Sequence, residues 1–315
     1  MQRDKKIGVL MGGPSSEREV SLRTGQAVLK ALREKGYDAV EIDLHENTAA
    51  QLIAQRVQVV YNALHGKWGE DGCVQGLLEL LRIPYTGPGV CASAVGMDKV
   101  ISKRLFEAEG LPVPPYRVYR KAEWNAAPID SPFGWPVVVK PATEGSSVGT
   151  AIAATPAELA AGAVHAFAFD ERVLLEQYLP GREIQVAVLG DEALGLVEVR
   201  PKKLPGEKIT FYDYAHKYTK GLTEYFTRPE HLAEAEAAKL MQMAVVANRA
   251  IGGEGLVRVD LILDDAGRPW VLEVNTLPGL TELSLAPMIA RDWRGLAFAD
   301  LVEKVLDTAR LKIGV

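Results

Sequence analysis

At 315 residues the chain is long for one domain and suits two or three. It is 48% hydrophobic, too apolar for disorder, and its net charge of -5 argues against the basic face that nucleic-acid or anionic-membrane binding needs, though not against a locally basic pocket for an anion. Cys73 and Cys91 fit no zinc spacing and make no disulfide framework; the basic start meets only about six apolar residues before Gly12-Gly13, short of a secretory signal, and no run approaches the roughly 18 residues of a membrane span, so a soluble cytoplasmic protein is expected.

KIGVLMGG reads as a buried strand running into a glycine turn, and EREVSLRTGQAVLKALREKG as an amphipathic helix stopped by Gly36. AVEIDL and VQVVYNALHG give two more strands, and VQGLLELLRI a short helix before Pro84. Such alternation predicts a parallel sheet with crossovers, whose ligands lie at the carboxyl ends of the strands. Gly12-Gly13 and Leu64-His65-Gly66 fall at such ends. Near residue 95 the texture changes: MDKVISKRLFEAEG is a charged helix, and LPVPPY a proline-rich hinge.

Then come the strand WPVVVKP, the loop ATEGSSVG, the strand TAIAA, and a helix opening with Thr155 as cap, Pro156 at its first position and Glu158 at its third. RVLLEQYLPG closes that unit. Beyond it, EIQVAVLG and ALGLVEVR are strands, ITFYDYAHKYTKG an aromatic loop, and an Ala-rich helix runs from 229 to about 251. VRVDLIL and WVLEVN form a strand pair, and LAFADLVEKVLDTARL is a last amphipathic helix. The expected architecture is α/β and α+β in three parts: an N-terminal parallel α/β domain over 1–97, and α+β domains over 98–183 and 184–315.

Side chains two apart on a strand share a face, roughly 6–7 Å from each other. Arg258 and Asp260 therefore share one face of VRVDLIL, and Glu273 and Asn275 one face of WVLEVN. Asp264-Asp265-Ala266-Gly267 is a turn, which returns the second strand antiparallel beside the first. Three oxygen ligands without Cys or His suit Mg²⁺ or Mn²⁺, usually completed by water and substrate phosphates. Taken singly, each strand suits a solvent face with Arg258 pairing the acids; adjacent register favours the metal.

Phosphates need cations. There is no G-x-x-x-x-G-K-[ST]. Lys140 ends the apolar VVVK and wants an anionic partner, whereas Lys99, in a first helical turn, taken alone reads as an exposed lysine. The loop 143–149 offers backbone N–H groups and the hydroxyls of Ser146 and Ser147 for closing over phosphate oxygens, though alone it fits a hairpin turn. EQYLPGREI suits either a buried strand and turn or an adenine edge, with Tyr178 or Leu179 on the ring and Glu183 at the ribose. Glu17, behind Ser15 or Ser16 as helix cap, is ordinary capping with room for a second role, holding a substrate ammonium. HGKWGEDG, with a histidine, two acids and three glycines, is too dense for a mere connector.

HGKWGEDGCVQG, the VVVKP and EGSSVG pair, GLVRVDLIL and EVNTLPGLT, in this order and spacing, resemble the D-alanine–D-alanine ligases of the ATP-grasp superfamily over essentially the whole chain. The resemblance implies an ATP-grasp fold whose last two domains clamp ATP. It gives Lys99 and Lys140 to the α/β-phosphates, the 144–149 loop with Glu144 and Ser147 to the β/γ end, and Lys217 to the γ-phosphate. Glu176, the backbone of Gln177 to Leu179, and Glu183 would bind adenosine, and Asp260, Glu273 and Asn275 two Mg²⁺ or Mn²⁺ ions. Glu17, supported by Ser146 and Tyr218, would receive the first D-alanine's ammonium, with His65 close by. Arg258 and the Gly279 N–H would stabilise an oxyanion, and Ser284 would take the second D-alanine's carboxylate. A homodimer is implied as well.

The implied reaction makes a D-alanyl phosphate from ATP, which a second D-alanine's amine attacks, for peptidoglycan precursor synthesis. FYDYAHKY with the 144–149 loop is the candidate lid over that hydrolysable intermediate. A tyrosine at 218 favours D-alanine over D-lactate as acceptor, while Glu282 and Leu283 depart from many relatives and bear on acceptor strictness. The alternatives are a D-alanine–D-lactate or D-alanine–D-serine ligase, a dinucleotide-binding oxidoreductase, which lacks G-x-G-x-x-G here, and an inactive nucleotide-binding regulator, against which Arg258, Asp260, Glu273 and Asn275 all argue.

Overall fold

The computed structural model describes residues 2–125, 129–204, 212, 216, 217, 219, 221–281 and 284–314. Its N-terminal sheet has three parallel strands in the order β2-β1-β3: β1 (Ile7–Met11), β2 (Ala39–Asp43) and β3 (Val59–Asn62). Helix α1 (Arg18–Glu34) covers it, burying Thr24, Val28, Ala31 and Leu32 at helical spacing. Gly36, at φ +84°, lets the chain turn back so that the Gly36 and Tyr37 N–H groups bond the Arg33 and Leu32 carbonyls. Helices α2 (Thr48–Ala54), α3 (Cys73–Leu80) and α4 (Val90–Met97) follow. Gly12-Gly13 comes directly after β1, and Leu64-His65-Gly66 one residue after β3, at their carboxyl ends, as the alternation predicts.

Helix α5 (Lys99–Ala108) leads into an antiparallel sheet ordered β4-β7-β5-β6: β4 (Tyr116–Arg120), β5 (Val137–Pro141), β6 (Ala151–Ala153) and β7 (Arg172–Gln177). Helix α6 (Pro156–Ala166) lies against it. Its start has the expected cap: the Thr155 hydroxyl accepts from the Glu158 N–H, and Glu158 reaches back to the Ala154 N–H.

The third sheet is antiparallel, ordered β10-β9-β8-β11-β12: β8 (Gly181–Leu189), β9 (Glu192–Pro201), β10 (Thr223–Phe226), β11 (Leu256–Asp264) and β12 (Pro269–Asn275). Helix α7 (Glu234–Ala250) packs Leu240, Ala244 and Ala247 onto Val186, Val257 and Val259, each buried leucine or valine contributing ~1.5–3 kcal/mol. It starts later than 229: Ala233 is extended at its cap, and a turn joins Leu232 to Pro229.

Two helices end the described chain, α8 (Leu285–Arg294) and α9 (Phe298–Asp307). Ile289, Leu301, Val305 and Leu306 share one core with Val9, Val28 and Leu32 of the N-terminal sheet layer. Lys35 pairs with Asp300 and Glu303, each at 2.7 Å, and the Tyr37 hydroxyl donates to Glu303 at 2.8 Å. The composition had not marked α2, α4 or α8 as helices. VCASAVGM in α4 carries no polar face, and Pro287 interrupts the pattern of α8 in its first turn, where proline is tolerated.

Candidate active site

Across β11 and β12, Asp260 stands opposite Glu273 and Arg258 opposite Asn275. Period-two alternation then puts all four side chains on one face. Arg258 grips Asp260 with both arms, Nε to Oδ1 at 2.7 Å and Nη2 to Oδ2 at 2.8 Å, and Asn275 Nδ2 donates to Asp260 Oδ2 at 3.1 Å. The arginine–acid pairing of an ordinary strand face is therefore present, but Asp260 is only 4% exposed and the face walls a cleft. Burial works against the Arg258 charge, yet the Asp260 carboxylate raises its pKa well above the ordinary value. Burial likewise pushes the Glu273 carboxyl up, but Lys99, Lys140, Lys217 and Arg258 reverse it, down to about 2.

The opposite wall comes from α5 and the β4-β7-β5-β6 sheet. Asp98 caps α5, accepting from the N–H groups of Val100 and Ile101. That fixes Lys99, whose Nζ donates to the Glu144 carbonyl at 2.5 Å and lies 3.4 Å from Glu273 Oε2. Lys140 ends β5 and pairs with Glu176 Oε2 at 2.6 Å, so the anionic partner expected for it is a protein carboxylate. The cleft encloses about 970 Å³ including its open mouth, and Gln177, Tyr178, Leu179, Glu183 and Ile262 line its far end. Burial, then the Asp260 charge, raises Glu183 to about 7.

The glycine loop closes one side. Ser146 and Ser147 both take left-handed backbone, φ +48° and +60°, disfavoured for serine. Lys217 Nζ donates to Ser147 Oγ at 3.1 Å, and Lys67 of HGKWGEDG pairs with Glu144 at 2.5 Å. Ser146 donates to Glu17. Glu17 itself stands at the N-cap position of α1, so the helix starts beyond it, and Ser15 serves as local brace, accepting from the Glu17 N–H and donating to the His65 carbonyl.

A second, larger cavity adjoins the first at Gly145, Ser146, Tyr212 and Lys217. Glu17, His65, Arg258, Gly279 and Ser284 line it. His65 hydrogen-bonds Thr24 through Nε2 at 3.0 Å, and burial lowers its pKa to about 4. Ser284 Oγ accepts from the Thr281 N–H at 3.0 Å and lies beside Gly279. Tyr218, Glu282, Leu283 and most of FYDYAHKY lie outside the described residues.

Sequence reasoning missed Lys103, Glu70 and Tyr212. Lys103 is fully buried and pairs with Glu176 Oε1; its spacing of four from Lys99 was the available signal. Glu70 accepts from the Gly66 N–H at 2.7 Å, and burial, with the Glu17 charge, raises it to about 8. The Tyr212 hydroxyl shares a hydrogen bond with Tyr225 at 3.1 Å.

Residues 105–307 match the family described as D-ala D-ala ligase C-terminus, and residues 6–51 and 45–88 match D-ala D-ala ligase N-terminus. The D-alanine–D-alanine ligase of Anaeromyxobacter dehalogenans is 51% identical over 309 residues, covering 98% of each chain. That of Geobacter sulfurreducens is 48% identical over 317 residues, covering 99% of this chain and 98% of its own. The solved D-alanine–D-alanine ligase of Bacillus anthracis, complexed with ATP, superposes with a TM-score of 0.81 at 31% identity, covering 96% of this chain and 97% of that one. Two antiparallel sheets holding a cleft between paired lysines and a carboxylate-bearing strand pair, under a glycine loop, define an ATP-grasp protein. Within that class, the chain belongs to the D-alanine–D-alanine ligase family.

Proposed function

We propose that the chain joins two D-alanines into D-alanyl-D-alanine at the expense of ATP, releasing ADP and phosphate, for peptidoglycan precursor synthesis. The observation that carries the reading is the meeting of the two cavities at Gly145, Ser146, Tyr212 and Lys217. A triphosphate lying along Lys140 and Lys99 ends there, where Glu17 and Arg258 can hold an amino acid. D-Lactate or D-serine as acceptor is not favoured, since the relatives compared carry D-alanine twice in their names. Among the described residues no helix is long and apolar enough to cross a membrane, and a cytoplasmic location belongs to this reading.

The first D-alanine's ammonium sits on Glu17, which Ser146 orients. Its carboxylate oxygen attacks the γ-phosphorus, the bond to the β-phosphate oxygen breaks, and ADP leaves with that electron pair. The second D-alanine, its carboxylate at Ser284, attacks the acyl carbonyl through its neutral amine. Arg258 and the Gly279 N–H face the oxygen that turns anionic, and fixed donors of this kind are worth about 10²–10³ in rate each. Collapse of the tetrahedral carbon expels phosphate, which takes the proton shed by the attacking nitrogen, and leaves the peptide bond. Lys67, Ser146 and Ser147 hold the glycine loop down meanwhile, keeping water from the acyl phosphate.

Asp260, Glu273 and Asn275 fit two Mg²⁺ or Mn²⁺ ions: the donor set is all oxygen, and Glu273 stays ionised. No group of three or more His, Cys, Asp or Glu side chains converges among the described residues, and water and substrate phosphate oxygens would complete the coordination. When bound, such ions neutralise charge on the transferring phosphoryl group. Lys99, Lys140, Lys217 and Glu144 then belong to the phosphates, and Glu176, Gln177, Leu179 and Glu183 to adenosine. The division at 97/98 and 183/184 and a homodimer complete the proposal; three separate sheets support the former, with the second break inside the first residues of β8.

Phosphate release from ATP and Mg²⁺, with D-alanine set against L-alanine, tests the reading. D-alanine-dependent release is expected, and its absence overturns the assignment.

A further inference from the structure

Lys103 has no part in the reaction described above, yet it is the most completely buried cation near the nucleotide cleft. It lies one turn after Lys99 on α5, with none of its side chain exposed. Among the described residues its ammonium pairs with Glu176 Oε1 and lies against the Tyr116 ring, whose centroid is 5.7 Å away. Tyr116 stands directly opposite Glu176 across β4 and β7, so helix, ring and carboxylate form one fixed packet.

The second oxygen of Glu176 holds Lys140 at 2.6 Å. The two lysines are not equivalent. Lys140 faces the cleft and keeps 12% of its side chain exposed, so it can exchange Glu176 for another anion. Lys103 does not line the cleft, and leaving Glu176 would strand its charge in the interior, which is strongly disfavoured.

We infer that Lys103 is the permanent counterion of Glu176, a positioning residue that keeps this carboxylate neutralised and in place so that Lys140 is released to the phosphates of the nucleotide. Without Lys103, Lys140 would be the one cation left on this buried carboxylate among the described residues, and a phosphate would have to compete with Glu176 for it. The inference rests on the reading of the cleft as an ATP site.

The test is a double-mutant cycle read by ADP binding calorimetry, with circular dichroism and melting as fold controls. Lys103→Met should weaken ADP by about 10–100-fold, the worth of a charge-assisted contact, with the KM for D-alanine near wild type. In a Glu176→Gln background the same Lys103→Met substitution should cost nothing further, because no carboxylate then retains Lys140. A folded Lys103→Met protein with wild-type ADP affinity overturns the inference, as does an equal loss in both backgrounds. Failure of the wild type to bind ADP would instead sink the ATP-site reading. Should Lys103→Met not fold, lysine-selective NMR of the wild type decides: ADP should move the Lys140 signal and leave that of Lys103, and equal movement of both overturns the proposal.

Discussion

Ser146 donates its hydroxyl to the Glu17 carboxylate, joining the glycine loop to the start of α1. The carboxylate lies between two glycines: a Cβ on Gly66 would come within 2.9 Å of Glu17 Oε2, and one on Gly145 within 2.8 Å. A Cβ at either position would make the Glu17 carboxylate swing aside, so the two glycines leave it free to stay where Ser146 holds it. Ser146→Ala should therefore lower kcat/KM for D-alanine by about 10–100-fold, the worth of one hydrogen bond to a charged group, with the KM for ATP changed far less. Equal effects on both substrates would remove Ser146 from the amino-acid end.

Glu273→Gln keeps the shape of the strand but removes the charge that four cations hold ionised. Turnover should fall by at least about 10²–10³, with an unchanged circular dichroism spectrum. Near-normal activity would sink the metal assignment.

Lys140→Ala should raise the KM for ATP by about tenfold or more, because a charge-assisted contact to phosphate is lost. Steady-state kinetics at saturating D-alanine reads this directly, and an unchanged KM would take Lys140 out of the phosphate site.

Glu70 makes stability depend on pH. Its folded pKa of about 8 lies above the ordinary 4.5, so the folded chain holds the proton more tightly than the unfolded one. That contribution is fully present below about pH 4.5 and is lost as pH rises through 8. Glu70→Gln cannot ionise, so its melting temperature should gain on wild type between pH 5 and pH 9. Parallel melting curves across that range would contradict the assignment.

Much of this was legible in the residues because period-two alternation and turn chemistry are local. Local pattern shows that Arg258 and Asp260 share one strand face, Glu273 and Asn275 another, and that the turn at 264–267 returns the second strand beside the first. The pairing of Asp260 with Glu273 and of Arg258 with Asn275 needs a bulge, because the register at Leu263–Pro269 and Leu261–Val271 would otherwise bring Leu272 opposite Asp260. The β-bulge beyond Asp260 was not visible in the pattern, since it depends on how β12 meets its neighbour. Lys103 and Glu70 stayed hidden for a different reason. A lysine in KVISKR or an acid in HGKWGEDG looks like solvent-facing charge until distant segments bury it, here β4 and β7 for Lys103 and the chain near Leu277 for Glu70. Burial of charge is a tertiary property, and no local spacing encodes it.

The shared core of α1, β1, α8 and α9 bears on how the protein is made. Leu301, Val305 and Leu306, which cover Val9, Val28 and Leu32, leave the ribosome long after them. Lys35 and Tyr37 wait equally long for Asp300 and Glu303. Until those residues arrive the N-terminal sheet layer has an uncovered apolar flank, a stretch during which chaperones have something to hold.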